Sequence, residues 1–211
     1  MFEAFLAAWL GTVAAQAAPG PNLVAVAAAG LGQGRRAALF VVLGVASGVL
    51  VWVTAVAFGL GALISAFPGL LVAMKLLGGG YLLFLSIKAL RAAVRGGQGT
   101  LKAQSGQMSD IGAWRRGALV VLTNPKAALM WAAVAAFLFG HGLDPLQVLA
   151  FAPVGSLSAL AVYGAYALLF SSGLATRAYA RAARWFEALF GAVFGALGAT
   201  LLADGVRSLR T

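Results

Sequence analysis

The sequence predicts an all-α membrane protein with six transmembrane helices, built as a 3+3 inverted repeat in which helices one and four are broken. The first supporting observation is the composition, since 62% of the 211 residues are hydrophobic and only 9% are charged. A soluble domain typically carries about a quarter charged residues, because its surface must meet water. The other two observations are long charge-free stretches and matching proline interruptions in two of them.

The charge-free stretches define the predicted spans. A helix needs about 20 apolar residues to cross the hydrocarbon layer, which is roughly 30 Å thick. The six predicted spans cover residues 4–29, 38–64, 70–91, 115–139, 146–172 and 187–206. Glycine, proline or charged residues predict the breaks between them, at 30–36, 67–69, 95–113, 140–145 and 176–184.

A segment rich in Gly, Gln and Ser, residues 93–113, contains no apolar run and is typical of a flexible linker. It separates a first three-span repeat, residues 1–92, from a second, residues 114–211. Because each half has an odd number of spans, the second half enters the membrane in the opposite orientation. That is the condition for an inverted repeat, a common transporter architecture.

The basic residues predict the orientation. The loops after spans one, three and five hold eleven Lys and Arg residues, whereas the opposite side has only Arg207 and Arg210. The positive-inside rule therefore places these loops in the cytoplasm and both termini outside. The same distribution accounts for the net charge of +10, because basic residues at the span ends contact membrane lipid. We therefore expect no nucleic acid as a partner.

Two interruptions fall in corresponding spans. Pro19-Gly20-Pro21-Asn22 interrupts span one, and Thr123-Asn124-Pro125-Lys126 interrupts span four. Each proline removes an amide donor and disfavours a helical residue before it, so both spans should break into half-helices. The amides at the new N-termini, with the positive ends of the helix dipoles, would form an anion site near mid-membrane.

The interruptions admit a plainer interpretation, in which they are proline kinks whose backbone groups are satisfied locally. Four consecutive breaking residues in one half, matched by Asn-Pro-Lys in the other, favour a binding site, because paired interruptions are typical of transporters. The predicted substrate-binding residues are Pro19, Gly20, Pro21, Asn22, Asn124, Pro125 and Lys126.

Lys126 has two interpretations. A lysine about a dozen residues into a span should face a water-filled cavity or an anionic partner, which here would be a substrate carboxylate. Alternatively, its side chain reaches the cytoplasmic interface, close to Arg115 and Arg116. The depth of the residue favours the first interpretation.

Several features resemble the LysE/RhtB family of amino-acid exporters across nearly the whole chain. They are Pro19-Gly20-Pro21-Asn22, Gly34-Arg35, Gly44, Gly48 and Asn124-Pro125-Lys126. The resemblance implies efflux of amino acids or close relatives across a bacterial inner membrane, driven by the proton gradient. Members often have a threonine before Pro-Gly-Pro, whereas this chain has Ala18.

The positions of the few acidic residues indicate the charge of the substrate. All five carboxylates fall in termini, loops or the ends of span six, so none lies clearly at mid-membrane to neutralise a cationic side chain. We therefore expect a neutral, zwitterionic amino acid.

Other classes of protein are less compatible with the sequence. The absence of cysteine and the single peripheral histidine argue against a membrane enzyme, a metal site or a metal-ion exporter. No cofactor is expected. A non-transporting scaffold subunit and an exporter of another small ion or metabolite remain as alternatives. Glycine-rich faces leave room for a homodimer.

Overall fold

The computed structural model describes residues 2–67, 69–95, 106–172 and 175–209, and every regular element in these ranges is helical. The helices are α1 (Phe2–Ala17), α2 (Pro21–Gln33), α3 (Arg35–Ala55), α4 (Gly61–Ala66), α5 (Gly69–Val94), α6 (Asp110–Leu122), α7 (Pro125–Gly140), α8 (Pro145–Leu149), α9 (Phe151–Phe170) and α10 (Ala175–Ser208). A π-helical turn, Val56–Leu60, connects α3 to α4.

Four described segments are long and apolar enough to cross a membrane. They are Arg35–Ala66, Val72–Val94, Pro145–Phe170 and Ala188–Ser208. Helices α6 and α7 add a fifth if they form one span bent by 60°. The first predicted span corresponds to α1, with 16 residues, and α2, with 13, each too short to cross alone. The chain is therefore an all-helical, multi-pass membrane protein, and the sixth span stays a prediction.

The helix ends test the predicted breaks. Both proline interruptions occur as predicted, between α1 and α2 and between α6 and α7. The predicted break at 176–184 is wrong, because α10 runs continuously from Ala175 to Ser208. This stretch is basic but contains neither glycine nor proline, and charge alone does not interrupt a helix. Ten of the 21 residues of the predicted linker, residues 96–105, lie outside the described residues.

Glycines allow two close helix crossings that organise the bundle. Helices α3 and α6 approach so closely that a methyl group on Gly44 would overlap the carbonyl oxygen of Trp114. Where α5 meets α10, Cβ atoms added to Gly79 and Gly198 would lie 2.9 Å and 2.8 Å from each other's carbonyl oxygens. Helix α3 also packs against α9. Close packing through small residues is thus observed, as expected in a membrane bundle.

Candidate functional site

Each interrupted span resumes with a proline at the first position of a new helix. Helix α2 begins at Pro21 after an extended Gly20, and α7 begins at Pro125 after Asn124. A proline is favoured at this position because the first amides of a helix have no intrahelical acceptor. The Asn124 side chain caps α7 by accepting a 3.0 Å hydrogen bond from the backbone amide of Lys126.

Pro21 and Pro125 each leave a carbonyl four residues earlier without its helical donor, and an aromatic side chain donates a hydrogen bond to that carbonyl. The carbonyl of Ala17 accepts a 2.7 Å hydrogen bond from the Tyr166 hydroxyl. The carbonyl of Val121 accepts one of 3.0 Å from the Trp52 indole N–H. Because unsatisfied backbone is costly in an apolar bundle, these donors from α9 and α3 stabilise the two breaks.

A chain of side-chain hydrogen bonds joins the breaks. Asn124 donates from Nδ2 to Oδ1 of Asn22 at 3.2 Å, and Asn22 donates from Nδ2 to the Tyr163 hydroxyl at 3.3 Å. All three side chains are buried. The side-chain amides of Asn22 and Asn124, which were predicted to offer polar groups to a ligand, are therefore hydrogen-bonded to each other. This hydrogen bond holds the two interruptions together.

The side chain of Lys126, which follows the second break, reaches the first break between α1 and α2. Its Nζ donates a 3.4 Å hydrogen bond to the carbonyl of Pro19 and lies 4.5 Å from the centre of the Phe190 ring. A Cβ atom on Gly20 would stand 3.5 Å from this nitrogen, an ordinary contact distance, so the ammonium group packs directly beside the backbone of Gly20. The lysine thus points to the interruption in span one.

The two breaks border one cavity of ≈ 30 Å³. Its polar lining consists of Gln16, Asn22, Asn124, Lys126 and Tyr163, with the backbone of Gly20. Since a water molecule needs about 10–15 Å³ by the same measure, the space holds about two waters and no amino acid. A substrate can occupy it only when the lining helices move apart.

The structure brings four of the seven predicted residues to this cavity: Gly20, Asn22, Asn124 and Lys126. Pro19 contributes its carbonyl to Lys126. The side chains of Pro21 and Pro125 are exposed and start helices, so their part in the site is to shape the backbone.

Sequence reasoning missed Gln16. Its side chain is 3% exposed, and its Nε2 donates a 3.0 Å hydrogen bond to the carbonyl of Gly155 in α9. Its Oε1 is buried and has no hydrogen-bond partner in the described structure. The available signal was an uncharged polar residue three positions before Pro19, in a mainly apolar stretch that also contains Thr12.

The described part of the chain contains no cluster of three or more His, Cys, Asp or Glu side chains suited to a metal ion. None of its described carboxylates lines the cavity. The side-chain charge at the cavity lining is therefore that of Lys126, which favours an anionic group on a ligand.

Comparison with known proteins gives a consistent family assignment. The family model for "LysE type translocator" matches residues 13–205. A threonine efflux protein of Escherichia coli K12 is 27% identical over 203 residues, 96% of this chain and 98% of that protein. One from Salmonella typhi is 27% identical over 191 residues, 90% of this chain and 93% of that protein. No solved structure gives a significant match.

Proposed function

This chain belongs to the LysE family of translocators, and on that premise we propose that it exports neutral, zwitterionic amino acids or close derivatives. It is a transporter and not an enzyme, as its family and its efflux relatives indicate. The observation that carries the proposal is the meeting of two broken helices at one cavity beside Lys126. The threonine efflux proteins among its relatives support a small neutral substrate.

The site suits a substrate carboxylate. Helices α2 and α7 both begin at the cavity, and the first amides of a helix, with its positive dipole end, attract anions. The ammonium group of Lys126 adds a full charge, already placed at the break by the carbonyl of Pro19. With no described carboxylate in the lining, a second positive charge on the substrate would lack a partner.

We place the site between two inverted three-span repeats that work by alternating access. The aromatic capping contacts support this arrangement, since Trp52 of predicted span two caps the break in span four, while Tyr166 of span five caps the break in span one. Counterpart spans of the two halves also contact each other: α5 with α10, α3 with α9, and span one with span four through α2 and α6. Two matched halves around a central site are typical of secondary transporters.

We further propose the driving force of transport and the orientation of the protein in the membrane. The protein would use the proton gradient of a bacterial inner membrane, as the family resemblance implies. Its basic loops would face the cytoplasm and both termini the outside, as the distribution of Lys and Arg favours.

The proposal is tested by measuring efflux from cells loaded with threonine, leucine or lysine, or uptake of these amino acids into inverted vesicles. We expect threonine or leucine to be exported in preference to lysine, and a protonophore to abolish uphill export. The Lys126→Gln variant should lower export by about tenfold or more, because a charge-assisted hydrogen bond contributes about 1.5–3 kcal/mol. Lys88→Gln, at an exposed position near the end of α5, is the matched control and should export normally.

Each alternative predicts a different result. Preferential lysine efflux would contradict the neutral substrate, and wild-type export by Lys126→Gln would contradict the carboxylate contact. Efflux of another metabolite, with none of any amino acid, would identify a different exporter. Absence of substrate-dependent efflux from a folded, membrane-inserted protein would favour the scaffold subunit.

A further inference from the structure

Gln16 provides an unassigned polar group in the cavity, and we propose that its side-chain oxygen binds the ammonium group of the substrate. This assignment rests on the proposed function, because it adds a contact for the second charged group of a zwitterionic amino acid. It makes Gln16 the residue that distinguishes an amino acid from the same compound without its amine.

The orientation of the Gln16 amide follows from its surroundings. The carbonyl of Gly155 accepts a hydrogen bond at 3.0 Å, so the side-chain atom that meets it must be the donor Nε2. The acceptor Oε1 is then the other end of the amide, which is buried without a hydrogen-bond partner in the described structure. A buried carbonyl oxygen that has lost its water is destabilising unless a donor reaches it. Because Gln16 lines the cavity, a ligand there can supply that donor.

The other side-chain amide oxygens of the lining are already engaged. Oδ1 of Asn22 accepts from Asn124, and Oδ1 of Asn124 accepts from the backbone amide of Lys126. The Tyr163 hydroxyl oxygen accepts from Asn22. Among the described side chains of the lining, Gln16 therefore offers the amide oxygen that is free to accept a proton from a ligand.

The backbone around Gln16 also favours a cation. Gln16 lies in the last turn of α1, where the negative end of the helix dipole attracts positive charge. The carbonyl of Ala15, another lining residue, receives no helical hydrogen bond from Pro19, because proline has no N–H. The carboxyl end of α1 thus brings the negative end of its dipole to the cavity, while the start of α2 brings the positive end.

The cavity lining therefore presents opposite polarity to the two ends of a zwitterion. The Gln16 oxygen and the carboxyl end of α1 suit the ammonium group, and Lys126 with the helix N-termini suits the carboxylate. These acceptors carry no charge. They can therefore bind the substrate's ammonium group without also attracting a cationic side chain on the substrate.

The test compares binding of threonine with that of the matching 2-hydroxy acid, which keeps the carboxylate and the side chain but lacks the ammonium group. Purified wild-type, Gln16→Met and Gln16→Glu proteins are compared at equal amounts of folded, monodisperse protein. Thr12→Val is the matched control, because Thr12 is a fully buried polar residue one turn earlier in α1. Its hydroxyl group donates a hydrogen bond to the carbonyl of Ala8 in the same helix, and Thr12 is not among the described residues that line the cavity.

We expect Gln16→Met to weaken threonine binding by about tenfold to a hundredfold, the range for loss of a hydrogen bond to a charged group, and to leave binding of the hydroxy acid unchanged. Gln16→Glu retains an acceptor oxygen and should keep or increase the preference for the amine. Thr12→Val should keep the wild-type ratio. If Gln16→Met does not fold, the ratio in Gln16→Glu decides the question.

The outcomes separate this inference from the proposed function. Equal weakening of both ligands in Gln16→Met, or a fall in amine preference in Gln16→Glu, would overturn the role of Gln16 while leaving amino-acid export intact. Failure of the wild-type protein to bind or export any amino acid would overturn the proposed function itself.

Discussion

Asn124 donates a 3.2 Å hydrogen bond from Nδ2 to Oδ1 of Asn22, which joins two helix breaks that are 102 residues apart in the sequence. Both side chains are buried, and Asn124 also caps α7 through its other amide atom. The bond therefore ties the two halves together at the cavity. A substrate that separates the breaks has to replace this bond with contacts of its own, so the pair stabilises the form of the protein with a small cavity.

The asparagine pair predicts a non-additive effect on stability. Asn22→Ala and Asn124→Ala should each cost about 1–3 kcal/mol, because each leaves the other amide with an unsatisfied buried group. The double variant should cost less than the sum, with a coupling energy of about 0.5–3 kcal/mol. The free energies of unfolding of the four proteins in one detergent measure this coupling, and strictly additive values would contradict it.

Asn124→Ser separates the two roles of Asn124. Serine caps helices well but is too short to maintain the contact with Asn22. We expect Asn124→Ser to be about 0.5–2 kcal/mol less destabilising than Asn124→Ala, because the capping acceptor is retained. Equal losses of stability in the two variants would show that the cap contributes nothing.

The capping of the Ala17 carbonyl by Tyr166 predicts a cost for removing one hydroxyl group. Tyr166→Phe keeps the ring and should lower the free energy of unfolding by about 1–3 kcal/mol, since the partly buried carbonyl of Ala17 loses this donor. Tyr81→Phe, at a half-buried position in α5 away from the breaks, is the control. Thermal unfolding measures both, and a Tm for Tyr166→Phe no lower than that of the control would contradict the capping role.

The close crossing of α3 and α6 predicts that a single methyl group is destabilising at Gly44. Its Cβ would overlap the backbone carbonyl of Trp114, and backbone cannot rotate away as a side chain can. Gly44→Ala should therefore cost about 1–3 kcal/mol, the usual range for overpacking. At Gly164 in α9 the added methyl group would meet no described atom of another helix within 4 Å, so Gly164→Ala should be neutral or slightly stabilising. Equal unfolding free energies for the two variants would contradict the crossing.

The positions of the two breaks were predictable because proline acts on its own neighbourhood. A missing N–H affects the carbonyl four residues earlier, and this effect needs no tertiary contact. The same locality explains why the predicted break at 176–184 is wrong. Basic residues without a glycine or proline leave the backbone hydrogen bonds of a helix intact, and α10 continues through them.

The composition and the prolines of this chain determined by themselves that it is helical, that it belongs in a membrane and where two of its helices stop. Only the tertiary structure decided what satisfies the freed groups, because those partners are distant along the chain. Tyr166 is 149 residues from Ala17, and Gln16 is 139 residues from Gly155. Local rules reach about one helical turn, whereas these contacts exist only after α1 and α9 have packed together.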